Sequence, residues 1–188
     1  MILNHLTITN YRNLQMADLA LSPNVNCFVG ANGMGKSNVL DAIYYLSFCR
    51  GFASAQDTSN LNHEADYFIL EGNYELESGA TQQVCCSLKR GAPKRVKVDG
   101  KFVKRISDHV GHIPMVMIAP ADAALILGGS EERRRFMDMV IMQYSAPYLD
   151  ALIRYDKALK QRNALLKQDE EPDENVMTVL EEMMSVSG

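Results

Sequence analysis

The chain has 188 residues, 47% hydrophobic and 22% charged, the balance of a globular protein with room for one domain or one and a half. Its formal net charge is −4 at pH 7, so any surface for nucleic acid must be a local patch. The longest apolar run, "IPMVMIAPA", is far shorter than the ~20 residues a membrane helix needs, and "MILNHLTITNYRN" lacks the basic start and apolar core of a signal peptide. No membrane partner is expected, and a cytoplasmic location is.

In chain order, "MILNHLTI" alternates apolar and polar residues and predicts a strand. "MADLAL" predicts a second, followed by a turn at Pro23 and Asn24. "VNCFVG" predicts a third, ending at Gly30. Val39, Leu40, Ile43, Tyr44 and Leu46 then recur at helical spacing, predicting a helix over 36–48. "CRGFASAQDTSNLNHEAD" is polar and aperiodic, a surface loop. "YFILEGNYEL" and "TQQVCCSLKR" predict two strands. In "RVKVDGKFVKRI", Asp99 and Gly100 between alternating runs predict a tight hairpin. "PMVMIAP" predicts a short buried strand. From Asp122 the pattern is helical, with Ser130 expected as an N-cap after Gly128 and Gly129. Leu152, Tyr155, Leu159 and Leu166 are spaced like a coiled-coil seam, which packing onto the same chain explains equally well. The acidic stretch 169–182 predicts a solvated linker and then a last amphipathic turn or two. The change from strands to helices near residue 120 suggests two regions, 1–120 and 121–188.

The cysteines at 27, 49, 85 and 86 have no CxxC spacing, and buried reduced thiols are expected. Cys85 and Cys86 should face opposite sides of a strand. His109 and His112 have no partner at a zinc spacing and are expected to be structural or exposed.

The informative motif is "GANGMGKS", Gly30 to Ser37, which matches G-x-x-x-x-G-K-[ST]. Glycines let backbone amides approach a ligand, and successive N–H groups form a concave nest for anions. The following helix adds its free N–H groups and positive dipole end. Gly30, Ala31, Asn32, Gly33, Met34 and Gly35 therefore form the candidate phosphate loop. Lys36 is expected to reach the β- and γ-phosphates, and the Ser37 hydroxyl to bind Mg²⁺.

Hydrolysis needs more: an acid to hold Mg²⁺ and a group to orient water. Glu71 after "YFIL" and Asp122 after "MVMIAPA" fit poorly and read as ordinary strand ends. "LILGGSEE" only mimics an ABC signature sequence, since no Asp-Glu strand end follows. No catalytic residue is assigned.

Five ordered blocks together resemble the N-terminal half of the RecF family, bacterial recombination-repair ATPases related to ABC and SMC heads. They are "LTITNYRNL", "NCFVGANGMGKSNVLDAIYYLSFCRGF", "VKVDGK", "MVMIAPADAALILGGSEERRRFMD" and "YDKALKQRNALLK". The chain departs from the family at Ser37, where Thr is usual, and in "CRGFAS", which keeps only Arg50 and Phe52 of the family pattern. The family's signature and Walker B motifs lie in a C-terminal half, so the resemblance implies a truncated chain and places the hydrolytic acid elsewhere.

The fold so implied is α/β, a P-loop NTPase of ABC-head type with a mixed-sheet lobe and then a helical lobe. The resemblance implies ATP and Mg²⁺ as cofactors, and DNA, gapped or single-stranded, as a partner in replication, repair and the SOS response. It also implies recombination mediator proteins as partners, an ATP-dependent homodimer when full length, and weak DNA-dependent ATPase activity. Arg12 and Asn13 match residues that line the nucleotide in related heads. The alternative is a small P-loop kinase complete in this chain, with Arg133 to Arg135 recruited as lid residues.

Lys89, Arg90, Lys94, Arg95, Lys97, Lys101, Lys104 and Arg105 stand against one acid, Asp99. On a hairpin, Arg95, Lys97 and Lys101 could meet DNA phosphates. Lysines that protect a sheet edge from aggregation would give the same pattern.

Overall fold

A computed structural model describes residues 1–54, 56–168 and 173–187. The chain divides into two compact units, Met1–Ala119 and Pro120–Gly188.

The first unit is built on a six-stranded sheet in the order β2-β1-β3-β4-β5-β6. The strands are β1 Ile2–Tyr11, β2 Leu14–Ala20, β3 Tyr67–Glu75, β4 Thr81–Lys89, β5 Arg95–Val98 and β6 Lys101–Phe102. Every described pairing is antiparallel, where a mixed sheet was expected. Helix α1, Lys36–Phe48, packs on one face against β1, β3 and β4. Alternation decides which side chains meet it. Leu6 and Ile8 of β1, Phe68 and Leu70 of β3, and Val84 and Cys86 of β4 are buried with Ala42, Tyr45 and Leu46 of α1. Tyr11, Tyr45 and Phe68 meet edge to face at the centre, with centroids 5.2 to 5.9 Å apart.

The β5–β6 hairpin turns at Asp99 and Gly100, both with positive φ (49° and 76°), as a tight primed turn requires. Cys85 is half-buried on the sheet face opposite buried Cys86. Cys27 is exposed, not buried as expected, because its segment joins no strand. His109 is buried with Nε2 2.7 Å from the Leu46 carbonyl, and exposed His112 meets Gln82.

Two predicted strands are absent among the described residues. "VNCFVG" is extended chain without a ladder, and Val25 and Val29 are 76% and 89% exposed. "PMVMIAP" is likewise unpaired, with Val116 and Ile118 exposed. An apolar run becomes a strand only where a neighbour takes its N–H and C=O groups, and no described strand pairs with either. Glu71 stands in the middle of β3 rather than at its end, and accepts from Gln83 Nε2.

The second unit contains α2 Ala124–Leu127, α3 Ser130–Ile141, α4 Ala146–Leu165 and α5 Glu174–Ser187. Gly129, not Ser130, is the N-cap of α3, because its extended backbone already starts the helix one residue earlier. Glu131 and Arg135 pair one turn apart at 2.9 Å, the i, i+4 spacing at which helical side chains meet. Ser145 caps α4 by accepting from the Tyr148 amide. Helices α4 and α5 pack on each other, with Ala158 and Leu180 buried and Arg162 paired to Glu181. The apolar spacing of α4 thus finds a partner within the chain, while Leu166 at its end is exposed. The last helix is 14 residues long, more than the expected turn or two. Residues 169–172 of the expected linker lie outside the described residues. No described helix is long and apolar enough to cross a membrane.

Candidate nucleotide site

The phosphate loop leads into α1 as the motif requires. Gly30, Gly33 and Gly35 all have positive φ, at 154°, 83° and 93°. Gly35 is the N-cap, left-handed and buried, and a Cβ there would lie 2.5 Å from Leu14 Cδ2. Both strain and crowding therefore demand glycine at this position. The first helical bond runs from Val39 N to Gly35 O. The amides of residues 36–38 precede it and have no acceptor within the helix. No acid stands in the first turn of α1, so nothing there opposes a bound anion.

Lys36 folds back over the loop. Its ammonium donates to the carbonyls of Gly30 and Ala31, each at 2.8 Å. An ammonium has three N–H groups, so these bonds fix the charge over the loop and still leave a donor for a ligand. Ala31, Asn32, Met34 and Ser37 are exposed around it. Among the described residues no cluster of three His, Cys, Asp or Glu could hold a metal ion.

The turn between β1 and β2 braces the loop. Asn13 Nδ2 donates to Gly33 O at 2.6 Å, and its Oδ1 accepts from Asn38 Nδ2 at 2.6 Å. Arg12, in a left-handed conformation (φ 52°), points the other way along the turn. Its Nε lies 2.8 Å from Asp41 Oδ2, an ion pair without hydrogen-bond alignment, and its Nη2 donates to Asn60 Oδ1 at 2.8 Å. Asp41 is 2% exposed and also accepts from the Tyr11 hydroxyl at 2.8 Å and the Phe52 amide. Burial, and next the Asp41 charge, push the Tyr11 hydroxyl far above its ordinary range, so it stays a donor.

These contacts border a cavity of about 570 Å³ lined by Arg12, Asn13, Gln15, Asn38 and residues 59 and 61–64. Of the two turn residues expected at the nucleotide, Asn13 meets the phosphate loop at Gly33, while Arg12 turns from it to Asp41 and Asn60. Asn38, Asp41 and Asn60 were not singled out from the sequence. Asp41 had a signal, as a lone acid in the apolar run of α1. Asn60 had none, since it lies in an aperiodic loop.

The basic stripe separates into two sets. Lys94 Nζ donates to Cys49 O at 2.7 Å and pairs with Asp57 at 3.0 Å, so it is tied into the fold. Arg90 pairs with Asp66, and Arg105 with Asp108. Arg95, Lys97 and Lys101 remain on the β5–β6 hairpin, with Arg95 and Lys101 exposed.

Residues 1–176 match the model of the AAA ATPase domain family. The DNA replication and repair protein RecF of Phocaeicola vulgatus is 55% identical over all 188 residues, and that of Bacteroides fragilis is 51% identical over the same length. The chain spans about half the length of the curated relatives it matches, 51% in both cases. A structure of the recombination mediator protein RecF with ATP is 30% identical, with a TM-score of 0.87, over 100% of this chain and 51% of that one. An SMC ATPase structure with a TM-score of 0.60 at 16% identity, covering 74% of this chain and 99% of that one, shares the fold alone. The chain therefore belongs to the AAA ATPase domain family, and over its whole length it matches the N-terminal half of RecF proteins.

Proposed function

We propose that Gly30 to Ser37 bind the triphosphate of ATP, with Mg²⁺ held between Ser37 and phosphate oxygens. The observation that carries this reading is the mouth of α1: free amides, the Lys36 ammonium held over them, and no acid in the first turn. Bound magnesium would supply charge neutralisation between the β- and γ-phosphates. Asn13, bonded to Gly33, also lines a cavity with Arg12 and Asn38, and the rest of the nucleotide would lie on that side of the loop. Titration of a fluorescent ATP analogue tests this. Lys36→Ala should weaken binding at least tenfold, because charge-assisted bonds are worth roughly 1.5–3 kcal/mol. Equal affinity in both proteins would refute the assignment.

Within the intact protein, the reading is an ATP-dependent DNA repair and recombination factor that acts with mediator proteins. ATP would govern its dimerisation, and any ATPase activity would be weak and DNA-dependent. The likeness to RecF proteins at 55% and 51% identity supports it. The same likeness disfavours a small kinase complete in this chain. Arg95, Lys97 and Lys101 are the proposed phosphate contacts for DNA. Their joint replacement by Ala should weaken DNA binding and lower its log–log salt slope by roughly 2–3, at about 0.9 per phosphate contact. An unchanged slope would remove the hairpin from the DNA interface.

A further inference from the structure

We infer that the outer face of the sheet, at its β6 edge, is a stacking platform for single-stranded nucleic acid, with Phe102 as its aromatic element. This rests on the proposed DNA role of the hairpin. It adds a mode of binding, base stacking, and a residue that the charge pattern does not contain.

Phe102 is 58% exposed in the edge strand and stands opposite Lys97. The Lys97 ammonium lies 4.7 Å from the ring centroid, and the Arg95 guanidinium carbon 5.8 Å. Both are within reach of a cation–π attraction, so the ring is held among positive charges. Edge protection explains Lys101, whose charge discourages pairing with a further strand. It does not explain an exposed phenyl ring, which favours association. A duplex does not explain it either. Paired bases keep their faces inside the stack and present mainly phosphates to this surface. A single strand matches both features, offering phosphates to the cations and unstacked bases to the ring.

The same face continues across the sheet. Tyr67, 44% exposed, is paired with Lys89 across β3 and β4. By register it stands four residues along and three strands across from Phe102, about 20 Å at ordinary strand rise and spacing. Arg95 and Lys89 occupy the diagonal between the two rings. Glu71 lies off that diagonal and accepts from Gln83. A strand laid along it would meet ring, cation, cation and ring in turn.

The test measures binding of a labelled oligothymidylate, and of a duplex of equal length, to the intact protein. Phe102→Leu should weaken the single strand about tenfold and leave the duplex unchanged, while Phe102→Trp keeps both. Arg95→Ala with Lys97→Ala should weaken both and reduce both salt slopes. If Phe102→Leu leaves oligothymidylate affinity unchanged, or weakens both ligands equally, the platform is overturned and the charged hairpin stands. If the charge variant changes neither ligand, the underlying DNA assignment falls, and the platform with it.

Discussion

Asn13 and Gly33 are joined by a 2.6 Å hydrogen bond from a side-chain amide to a backbone carbonyl. It ties the β1–β2 turn to the phosphate loop, and Asn38 closes the link from α1. The loop is exposed, and this brace helps to set its shape before a ligand arrives. Asn13→Ala is predicted to weaken ATP binding about threefold to tenfold, the range of one or two neutral hydrogen bonds. Asn13→Asp should do worse, since a carboxylate cannot donate to Gly33 O and repels phosphate. Calorimetric titration of both variants checks the order; equal affinities for Asn13→Asp and wild type would contradict the brace.

Asp41 holds four elements together: Tyr11 of β1, Arg12 of the turn, its own helix, and the chain at Phe52. Its loss leaves a largely buried guanidinium short of its counter-charge. Asp41→Ala is predicted to destabilise the protein by about 3 kcal/mol, read as a lower urea midpoint. Removing both charges in Asp41→Ala, Arg12→Met should recover part of that loss. A double variant less stable than the sum of the two singles would argue against an ion pair.

Lys94 sits inside the basic stripe but serves the fold. Its ammonium bridges the end of α1 at Cys49 O and the loop at Asp57. Lys94→Ala is predicted to cost about 1–2 kcal/mol of stability, since both partners are partly exposed. It should leave the salt slope of DNA binding unchanged. Denaturation and salt titration on the same variant separate it from Arg95 and Lys97; a reduced slope at wild-type stability would reverse the assignment.

His109 predicts a dependence on pH. Burial lowers its pKa below the ordinary 6.5, partly opposed by the bond to Leu46 O, and nearby His112 lowers it further. As pH falls through about 6.5, the unfolded chain takes up a proton here and the folded chain does not. The unfolded state then binds more protons, so this residue's contribution to stability is whole above that window and declines below it. His109→Gln, which can still donate to Leu46 O, should flatten the acid side of the stability profile. Urea unfolding across that range reads the slope; an unaltered slope in the variant would place its origin elsewhere.

The local signals in the sequence were sufficient where chemistry is local. Glycine spacing and the Lys-Ser pair located the phosphate loop and the start of α1, because the motif is read within eight residues and needs no distant contact. Alternation placed β1, β3 and β4, and Asp99 with Gly100 placed the hairpin, because side-chain period and turn dihedrals are properties of short segments. The order of strands, the burial of Asp41, and the meeting of Asn60 with Arg12 were decided only in three dimensions. Those contacts join residues from 29 to 48 positions apart, and no short pattern encodes such a distance. The two apolar runs at 25–29 and 115–119 make the same point in reverse. Their composition favours a strand, but a strand is a relation between neighbours, and its backbone bonds exist only where a second strand is present to complete them.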